Sequence, residues 1–358
     1  MFAVIMAGGS GTRFWPVSRK KRPKQFLNIG SNEPMIVETC NRLNPLLSDN
    51  EIIIVLGREH LDEAHALFQK REIHILAEPI GRNTAPCIGL GAIYAQARGC
   101  SEAVAFLPAD HYMSDPSSFL DNLQQAGKVA ESGGIVTLGI VPTRPETGYG
   151  YIKKGDAHFD TSGSPVYRVS AFVEKPDLET AVQYLADGRY LWNAGIFVAT
   201  PTKILNEIKQ HLPDLYIGLE KIQDAIGTNS FEDELKKVYQ SFKAISFDYG
   251  IMEKTHESVF VLPCECGWSD VGSWESLYDL KKQDHDGSDN LCEGENLLID
   301  CQNSFISNQS GRLVACLGMD NCLVVDTPDA LLIADMNRSQ DIRLIVERLK
   351  KLKKEELI

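Results

Sequence analysis

The sequence predicts an α/β protein with a doubly wound, mostly parallel sheet, followed by a small β-rich domain. Three observations carry this. Short apolar runs alternate with helical patterns through the first two-thirds of the chain. The first run breaks directly into a glycine-rich turn. After a polar stretch at 284–290 the pattern changes to apolar triplets spaced by Gly, Asn and Asp.

Residues 2–6, 52–56, 73–77, 103–107 and 135–141 are apolar almost throughout, which suits strands buried on both faces. Between them the spacing predicts helices over 35–47, 60–70, 84–98 and 117–131. The second carries Leu61, Ala64, Leu67 and Phe68 on one face. This alternation predicts a Rossmann-like sheet with ligands beyond the carboxyl ends of its strands. The turn from Gly8 to Thr12 and Asp110 both follow predicted strands. Further strands are expected at 167–173 and 190–199, and helices at 201–211, 215–225 and 231–241. The break at 284–290 sets a division into 1–284 and 285–358. Triplets at 297–299, 313–315, 323–325 and 331–333 suggest a few coils of a β-solenoid. Residues 340–356 read as a basic amphipathic helix, with Ile342, Ile345, Val346 and Leu349, packed on the small domain or on a second subunit.

With 43% hydrophobic residues among 358, the chain can build a sizeable core. A formal net charge of −13 excludes a chain-wide nucleic-acid footprint. Positive charge is concentrated locally instead. The first 24 residues hold Arg13, Arg19, Lys20, Lys21, Arg22 and Lys24 and no acid, a composition suited to an anion site. The N-terminus is apolar for too few residues to be a signal peptide or membrane span, so a cytoplasmic protein without membrane partners is expected. Nine cysteines lack any CxxC spacing. They read as reduced thiols, with Cys40 and Cys87 as small core residues.

The chemical signal is strongest at Ala7, Gly8, Gly9, Ser10, Gly11, Thr12 and Arg13. Glycines after a strand let backbone N–H groups converge on a phosphate. The loop is not a Walker A motif, because Arg13-Phe14 stands where Lys-Ser/Thr is needed. It is not the dinucleotide fingerprint either, whose third glycine is replaced by Phe14. Arg13, and Lys24 in Pro23-Lys24-Gln25-Phe26-Leu27, are candidates to hold the β- and γ-phosphates of a nucleoside triphosphate and to stabilise departing pyrophosphate.

The run from Gly8 through Phe14-Trp15-Pro16 to Pro23-Lys24-Gln25-Phe26-Leu27 resembles the sugar-nucleotide pyrophosphorylases, and among them the mannose-1-phosphate guanylyltransferases. The resemblance continues through Glu78-Pro79-Ile80-Gly81-Arg82-Asn83-Thr84-Ala85-Pro86, Leu107-Pro108-Ala109-Asp110-His111, Glu146-Thr147-Gly148-Tyr149-Gly150, Phe172-Val173-Glu174-Lys175-Pro176, Trp192-Asn193-Ala194-Gly195 and Trp268-Ser269-Asp270-Val271-Gly272. These segments span about residues 1–280 in the family's order.

That resemblance implies a GT-A-like catalytic fold with a left-handed β-helix-like domain. It implies GTP and mannose 1-phosphate as substrates, GDP-mannose and pyrophosphate as products, Mg²⁺ as cofactor, and a homodimer. Asp110 and Asp270 are the implied Mg²⁺ ligands; they are hard oxygen donors suited to a cation shared with phosphates. A lone Asp in a turn is more often a cap. Glu78, Pro79, Arg82, Asn83 and Thr84 are implied in base binding, with Asn83 or Thr84 also suited to cap the following helix. Gly148, Tyr149, Glu174, Lys175 and Asn193 are implied at the sugar phosphate. An adjacent Glu174–Lys175 pair is equally the pattern of an exposed ion pair of little energetic value. Trp192, Trp268 and Trp274 are expected in the core, and Asp248 as a helix cap and spacer. Some relatives carry a further isomerase domain, and the chain ends about where it would begin, so no isomerase activity is expected. Two other readings remain open from the sequence: another nucleoside triphosphate and hexose 1-phosphate pair, or a regulatory homologue that binds sugar nucleotides without catalysis.

Overall fold

The computed structural model describes residues 1–9, 11–158, 164–255 and 258–358. Contacts divide the chain into two compact units. One comprises Met1–Gly8, Thr39–Ala109 and Met113–Trp268; the other comprises Gly9–Glu38, Asp110–Tyr112 and Ser269–Ile358.

The larger unit is built on one nine-stranded sheet. Its strands are β1 (Phe2–Ala7), β2 (Ile52–Gly57), β3 (His74–Glu78), β4 (Val104–Pro108), β5 (Ile135–Ile140), β6 (Tyr151–His158), β7 (Val166–Val173), β8 (Tyr190–Ala199) and β9 (Val259–Cys264), in the order β3-β2-β1-β4-β8-β5-β9-β7-β6. β1 pairs in parallel with β2 and β4, β2 with β3, and β5 with β9. β8 runs antiparallel between β4 and β5. The apolar runs of the sequence became the buried strands, because a strand covered on both faces must be apolar at every position. β6 and β9 were not expected. Lys153, Lys154 and Asp156 hide the first, and Pro263 interrupts the second.

Helices cover the sheet. α1 (Met35–Leu43) stops four residues short of the expected 47, and α2 is Leu61–Phe68. α3 (Thr84–Ala97) is apolar almost all round, so it can only be a buried helix. Its Ile88, Leu90 and Ile93 pack with Val4, Met6 and Val55 of the sheet. α4 (Pro116–Glu131) is capped by Asp115, whose carboxylate accepts from Ser118 N at 3.0 Å. α5 (Leu178–Asp187), α6 (Pro201–His211), α7 (Pro213–Ala225) and α8 (Phe231–Ser241) follow. Residues of α6, α7 and α8 join the α3 core.

One irregularity prepares the site. Between β5 and β8 the register slips, so that residues 194–196 face only Leu138. Bulges of this kind re-aim a side chain at the rim of a sheet, and Asn193 sits at this one.

The second unit contains α9 (Trp274–Leu280), six short strands and α10 (Ile342–Lys351). The strands are β10 (Leu291–Glu293), β11 (Asn296–Ile299), β12 (Phe305–Asn308), β13 (Val314–Leu317), β14 (Cys322–Asp326) and β15 (Leu331–Asp335). β10, β12 and β14 stack in parallel, so that Leu291, Phe305 and Leu323 fall in one column. β11 and β13 form a second parallel pair, and β15 closes the first sheet antiparallel to β14. This is the coiled arrangement expected from the triplets. β12 escaped notice because Ser304, Ser307 and Asn308 interrupt its apolar pattern. They are buried polar groups serving the coil backbone: Ser304 Oγ accepts from Cys322 N at 3.0 Å, and Asn308 Nδ2 donates to Glu295 O at 2.7 Å.

The core of this unit joins Phe14, Trp15, Leu27 and Ile29 to Val271, Trp274 and Leu277, to Phe305 and Leu323, and to Ile342 and Val346 of α10. Trp274 lies 5.2 Å from the Phe14 ring and 5.6 Å from Phe305. The C-terminal helix thus packs on the small domain, and is shorter than the expected 340–356. All nine cysteines are free, with Cys40 and Cys87 buried as expected. Among the described residues no helix is long and apolar enough to cross a membrane. Because Phe305 is fully buried against Trp274, Phe305→Ala should cost about 3–5 kcal/mol, read as a shift in the urea midpoint. A change below about 1 kcal/mol would mean that this column does not support the unit.

Candidate active site

The glycine-rich turn and two aspartates meet around one ammonium. Gly11 has φ 54°, and a Cβ there would lie 2.6 Å from Lys24 Cβ. Only glycine allows the turn to lie so close to the Lys24 backbone. Lys24 is 5% exposed. Its Nζ donates to Asp110 O at 2.8 Å, Asp110 Oδ2 at 2.9 Å and Asp270 O at 2.5 Å. Three protons meet three acceptors, which satisfies a buried cation. Lys24 was expected to reach outward to phosphates; instead it faces inward and ties the two aspartate loops. Burial pushes the Asp110 carboxyl up, but Lys24 and His111 beside it outweigh this and hold it below the ordinary range.

Arg13 is exposed, and its Nη1 donates to Gly272 O at 3.0 Å. Asp270 Oδ1 accepts from Gly272 N at 3.0 Å. A Cβ at Gly272 would stand 2.7 Å from Asp270 Oδ2 and 3.1 Å from Arg13 Nη1, so this glycine leaves room for both. Between them Val271, fully buried, takes φ 41°, a conformation rare for a β-branched residue. Arg13, Lys24, Asp110 and Asp270 are therefore gathered. Among the described residues no group of three or more His, Cys, Asp and Glu could cage a metal. Two aspartate segments tied by one ammonium, through the Asp110 carboxylate and the Asp270 main-chain carbonyl, have the hard oxygen donors that suit a divalent ion drawing its other ligands from phosphate and water. Ser10, expected at the phosphates, lies outside the described residues.

The base segment begins at the end of β3. Asn83 takes φ 68° and caps α3, its Oδ1 accepting from Thr84 N at 2.8 Å. Ile80 and Asn83 are exposed and Pro79 is half-buried. Glu78 and Arg82, expected to face the base, turn onto α8 instead. Glu78 is 5% exposed, and its Oε1 accepts from Tyr239 Oη at 3.1 Å. Arg82 donates to Tyr239 O at 3.2 Å and Gln240 O at 2.9 Å. Burial pushes the Glu78 carboxyl up to about 7, and the Tyr239 hydroxyl offsets only part of this.

The sugar segments form a second cluster in the larger unit. Asn193 Nδ2 donates to Asp248 Oδ1 at 2.8 Å, and Asn193 Oδ1 accepts from Gly195 N at 2.9 Å. Glu174 pairs with exposed Lys175, which takes φ 47°, and the Glu174 carboxylate lies against Gly150. Tyr149 stands edge-on to Trp192 at 5.3 Å and Trp268 at 5.2 Å. Gly148 is exposed, its N–H on Glu146 Oε1 at 2.9 Å. Trp192 and Trp274 are core residues as expected, but Trp268 is only half-buried. Trp192 Nε1 has no partner among the described residues. Asp248 was expected to cap a helix. It opens the one-turn helix Asp248–Met252, but its carboxylate holds Asn193, and burial, with Glu174 nearby, pushes its carboxyl up. No local pattern marked it; its partner is 55 residues away.

Glu78 gives a pH test. Its folded value is raised, so the folded state keeps a proton that the unfolded chain has lost between pH about 4.5 and 7. Stability should therefore fall as pH rises through that window and level off above it. Denaturant titrations between pH 5 and 8 should show wild type losing up to about 3 kcal/mol relative to Glu78→Gln. Parallel profiles would reject a protonated Glu78.

Comparison with known proteins supplies the family. Residues 2–287 match the model described as nucleotidyl transferase, and residues 294–349 match the MannoseP isomerase/GMP-like beta-helix domain. A mannose-1-phosphate guanylyltransferase of Salmonella montevideo is 40% identical over 97% of this chain and 73% of its own length. The xanthan biosynthesis protein XanB of Xanthomonas campestris is 39% identical over 97% of this chain and 73% of its own. A solved structure from Thermus thermophilus, described as a mannose-1-phosphate geranyltransferase, superimposes with a TM-score of 0.87 at 34% identity, covering 98% of this chain and 99% of that one. With a glycine loop, two aspartates and a β-coil in this order, the chain belongs to the nucleotidyl transferase family and carries the beta-helix domain found with it.

Proposed function

We infer that this chain is a mannose-1-phosphate guanylyltransferase, which converts GTP and α-D-mannose 1-phosphate to GDP-mannose and pyrophosphate. The observation that carries this is the cluster of Arg13, Lys24, Asp110 and Asp270 in a chain so similar to enzymes of that name. The reading includes a cytoplasmic homodimer with a catalytic domain 1–284 and a small β-solenoid-like domain 285–358 ending in a helix, and no nucleic-acid partner.

The reaction joins two anions. An oxygen of the sugar phosphate attacks the α-phosphorus in line, and the bond to the bridging oxygen breaks with its electron pair leaving on pyrophosphate. The attacking oxygen is already ionised, so no protein nucleophile is required. Positioning and charge neutralisation are what the protein supplies. Asp110 and Asp270 are the residues to hold Mg²⁺, which when bound neutralises phosphate charge as a Lewis acid. Arg13 keeps one N–H on Gly272 and presents the rest of its guanidinium to the triphosphate. The N–H groups of Gly8, Gly9, Gly11 and Thr12 line its path. Lys24 holds the two carboxylate loops at a fixed separation. Pro79, Asn83 and Thr84 frame the guanine, with Glu78 and Arg82 behind them. Lys175 meets the sugar phosphate; Glu174, Asn193 and the Gly148–Tyr149 backbone meet the hexose.

Pyrophosphate release with Mg²⁺, crossing GTP, ATP, UTP and dTTP with mannose, glucose and N-acetylglucosamine 1-phosphates, tests the assignment. Release should be confined to GTP with mannose 1-phosphate. Preference for another pair would overturn the substrates, and no release with any pair would overturn catalysis. Asp110→Asn and Asp270→Asn should each lower turnover at least ~100-fold, about 3 kcal/mol of barrier; Asp270→Asn should melt like wild type, whereas Asp110→Asn, which leaves the buried Lys24 ammonium facing a neutral amide, should melt lower. Turnover within a few-fold of wild type would remove that aspartate from the metal site.

A further inference from the structure

Between the base loop and the sugar cluster runs a single stretch of chain, residues 245–248, bonded at both ends. On the base side, Ile245 N donates to Arg82 O and Ala85 N donates to Ile245 O, both at 3.1 Å. Phe247 N donates to Thr84 Oγ1 at 2.8 Å. Arg82 adds its two bonds to the end of α8, just before this stretch. Buried Phe247 then packs on Phe197 of β8 with ring centroids 5.1 Å apart. On the sugar side the next residue, Asp248, accepts the Asn193 amide.

We propose that residues 245–248 act as a strap that couples the nucleotide and sugar-phosphate subsites, with Thr84 and Asp248 as its positioning residues. This rests on the assignment of those two subsites under the proposed function. The physical basis is the stiffness of the connection. Only Phe247 separates the strap's last bond to the base loop, through Thr84, from Asp248. Its backbone is fixed by three hydrogen bonds to residues 82–85, and Phe247 is locked in the core. A displacement of the base loop on nucleotide binding must therefore reach the Asp248 carboxylate. That carboxylate sets the orientation of the Asn193 amide. With Asn193 Oδ1 held by Gly195 N and one Nδ2 proton held by Asp248, a single amide proton is left for a sugar hydroxyl. Its direction follows the strap. The backbone of Asn193 stays in the ladder, opposite Gly139 and with its N–H on Gly150 O at 2.8 Å, and the register slips immediately after it, so the strap acts on the side-chain amide.

Thr84 has a specific place in this account. Its Oγ1 accepts from Phe247 N, so its effect passes through the strap. Valine has the same shape without the acceptor, and serine keeps it.

The experiment is calorimetric binding of mannose 1-phosphate with Mg²⁺, alone and with saturating non-hydrolysable GTP analogue. In wild type the analogue should tighten sugar-phosphate binding at least fivefold, a normal size for coupling between sites. Thr84→Val should cut this to under twofold while still saturating with the analogue, Thr84→Ser should keep it, and Asp248→Leu, which removes the acceptor for the Asn193 amide, should also abolish it. By reciprocity, mannose 1-phosphate should lose its effect on analogue affinity by the same factor. Coupling retained in Thr84→Val, or absent in wild type, overturns the proposal. Thermal melting of each variant accompanies the titrations, since a purely structural role would move melting without touching the coupling ratio. Asn193→Ala separates the two levels of inference. If it leaves mannose 1-phosphate affinity unchanged, the sugar subsite itself is wrongly placed and the strap fails with it. If it weakens affinity while Thr84→Val keeps the coupling, the subsite stands and only the strap falls.

Discussion

A buried ammonium is tolerated only where each of its protons finds an oxygen. This chain places one such ammonium between the segments of two aspartates. Lys24 gives all three protons to oxygens of Asp110 and Asp270 segments, so the loops keep their separation through their tie to the protein rather than to the ligand. Several other features follow from housing that cation. Gly11 is needed because the turn runs against the Lys24 backbone, and Gly272 because Asp270 and Arg13 crowd the next turn. A buried charge is costly unless fully paired, and this one has a partner for each proton.

Strain is distributed in the same way. Asn83, Lys175 and Val271 all take positive φ, one in each of three segments singled out by the motifs. Conformations of this kind cost on the order of 1–3 kcal/mol each and persist where the surroundings impose them. Asn83 is held by its bond to the start of α3, and Val271 by full burial with its N–H on Ser269 Oγ at 3.0 Å. Lys175 is exposed, and its ammonium pairs with Glu174. At Asn83 and Val271 the neighbouring side chains are aimed by backbone that could not relax without breaking those contacts.

Much of this was legible from local pattern. Apolar runs located the parallel strands, and the loops after them carried Arg13, Asp110 and Asp270 because ligand edges of such sheets are built from those loops. Side-chain direction was not legible. Glu78 and Arg82 stand in a segment that reads as base-binding, yet both turn to α8, and Glu78 meets Tyr239 from 161 residues away. The role of Asp248 depends on Asn193 in another strand. The inward turn of Lys24 depends on carbonyls 86 and 246 residues distant. Periodicity reports which face of an element is buried; it carries no information on which distant oxygen completes a hydrogen bond. The coil strand β12 was hidden for a related reason, since its polar residues serve the turns of neighbouring coils.

The β-coil shares its core with Phe14 and Trp15, the residues that follow Arg13 directly. The coil column and the glycine-rich turn thus share one packed core, with Trp274 between them. A genetic screen scored by product alone would therefore blur the two. Hits at Leu291 or Leu323 would cluster with lesions at Arg13, and a map of sensitive positions would draw the catalytic centre too large. Scoring abundance beside product would separate them, because coil lesions deplete the protein while lesions of the chemistry leave it plentiful and idle.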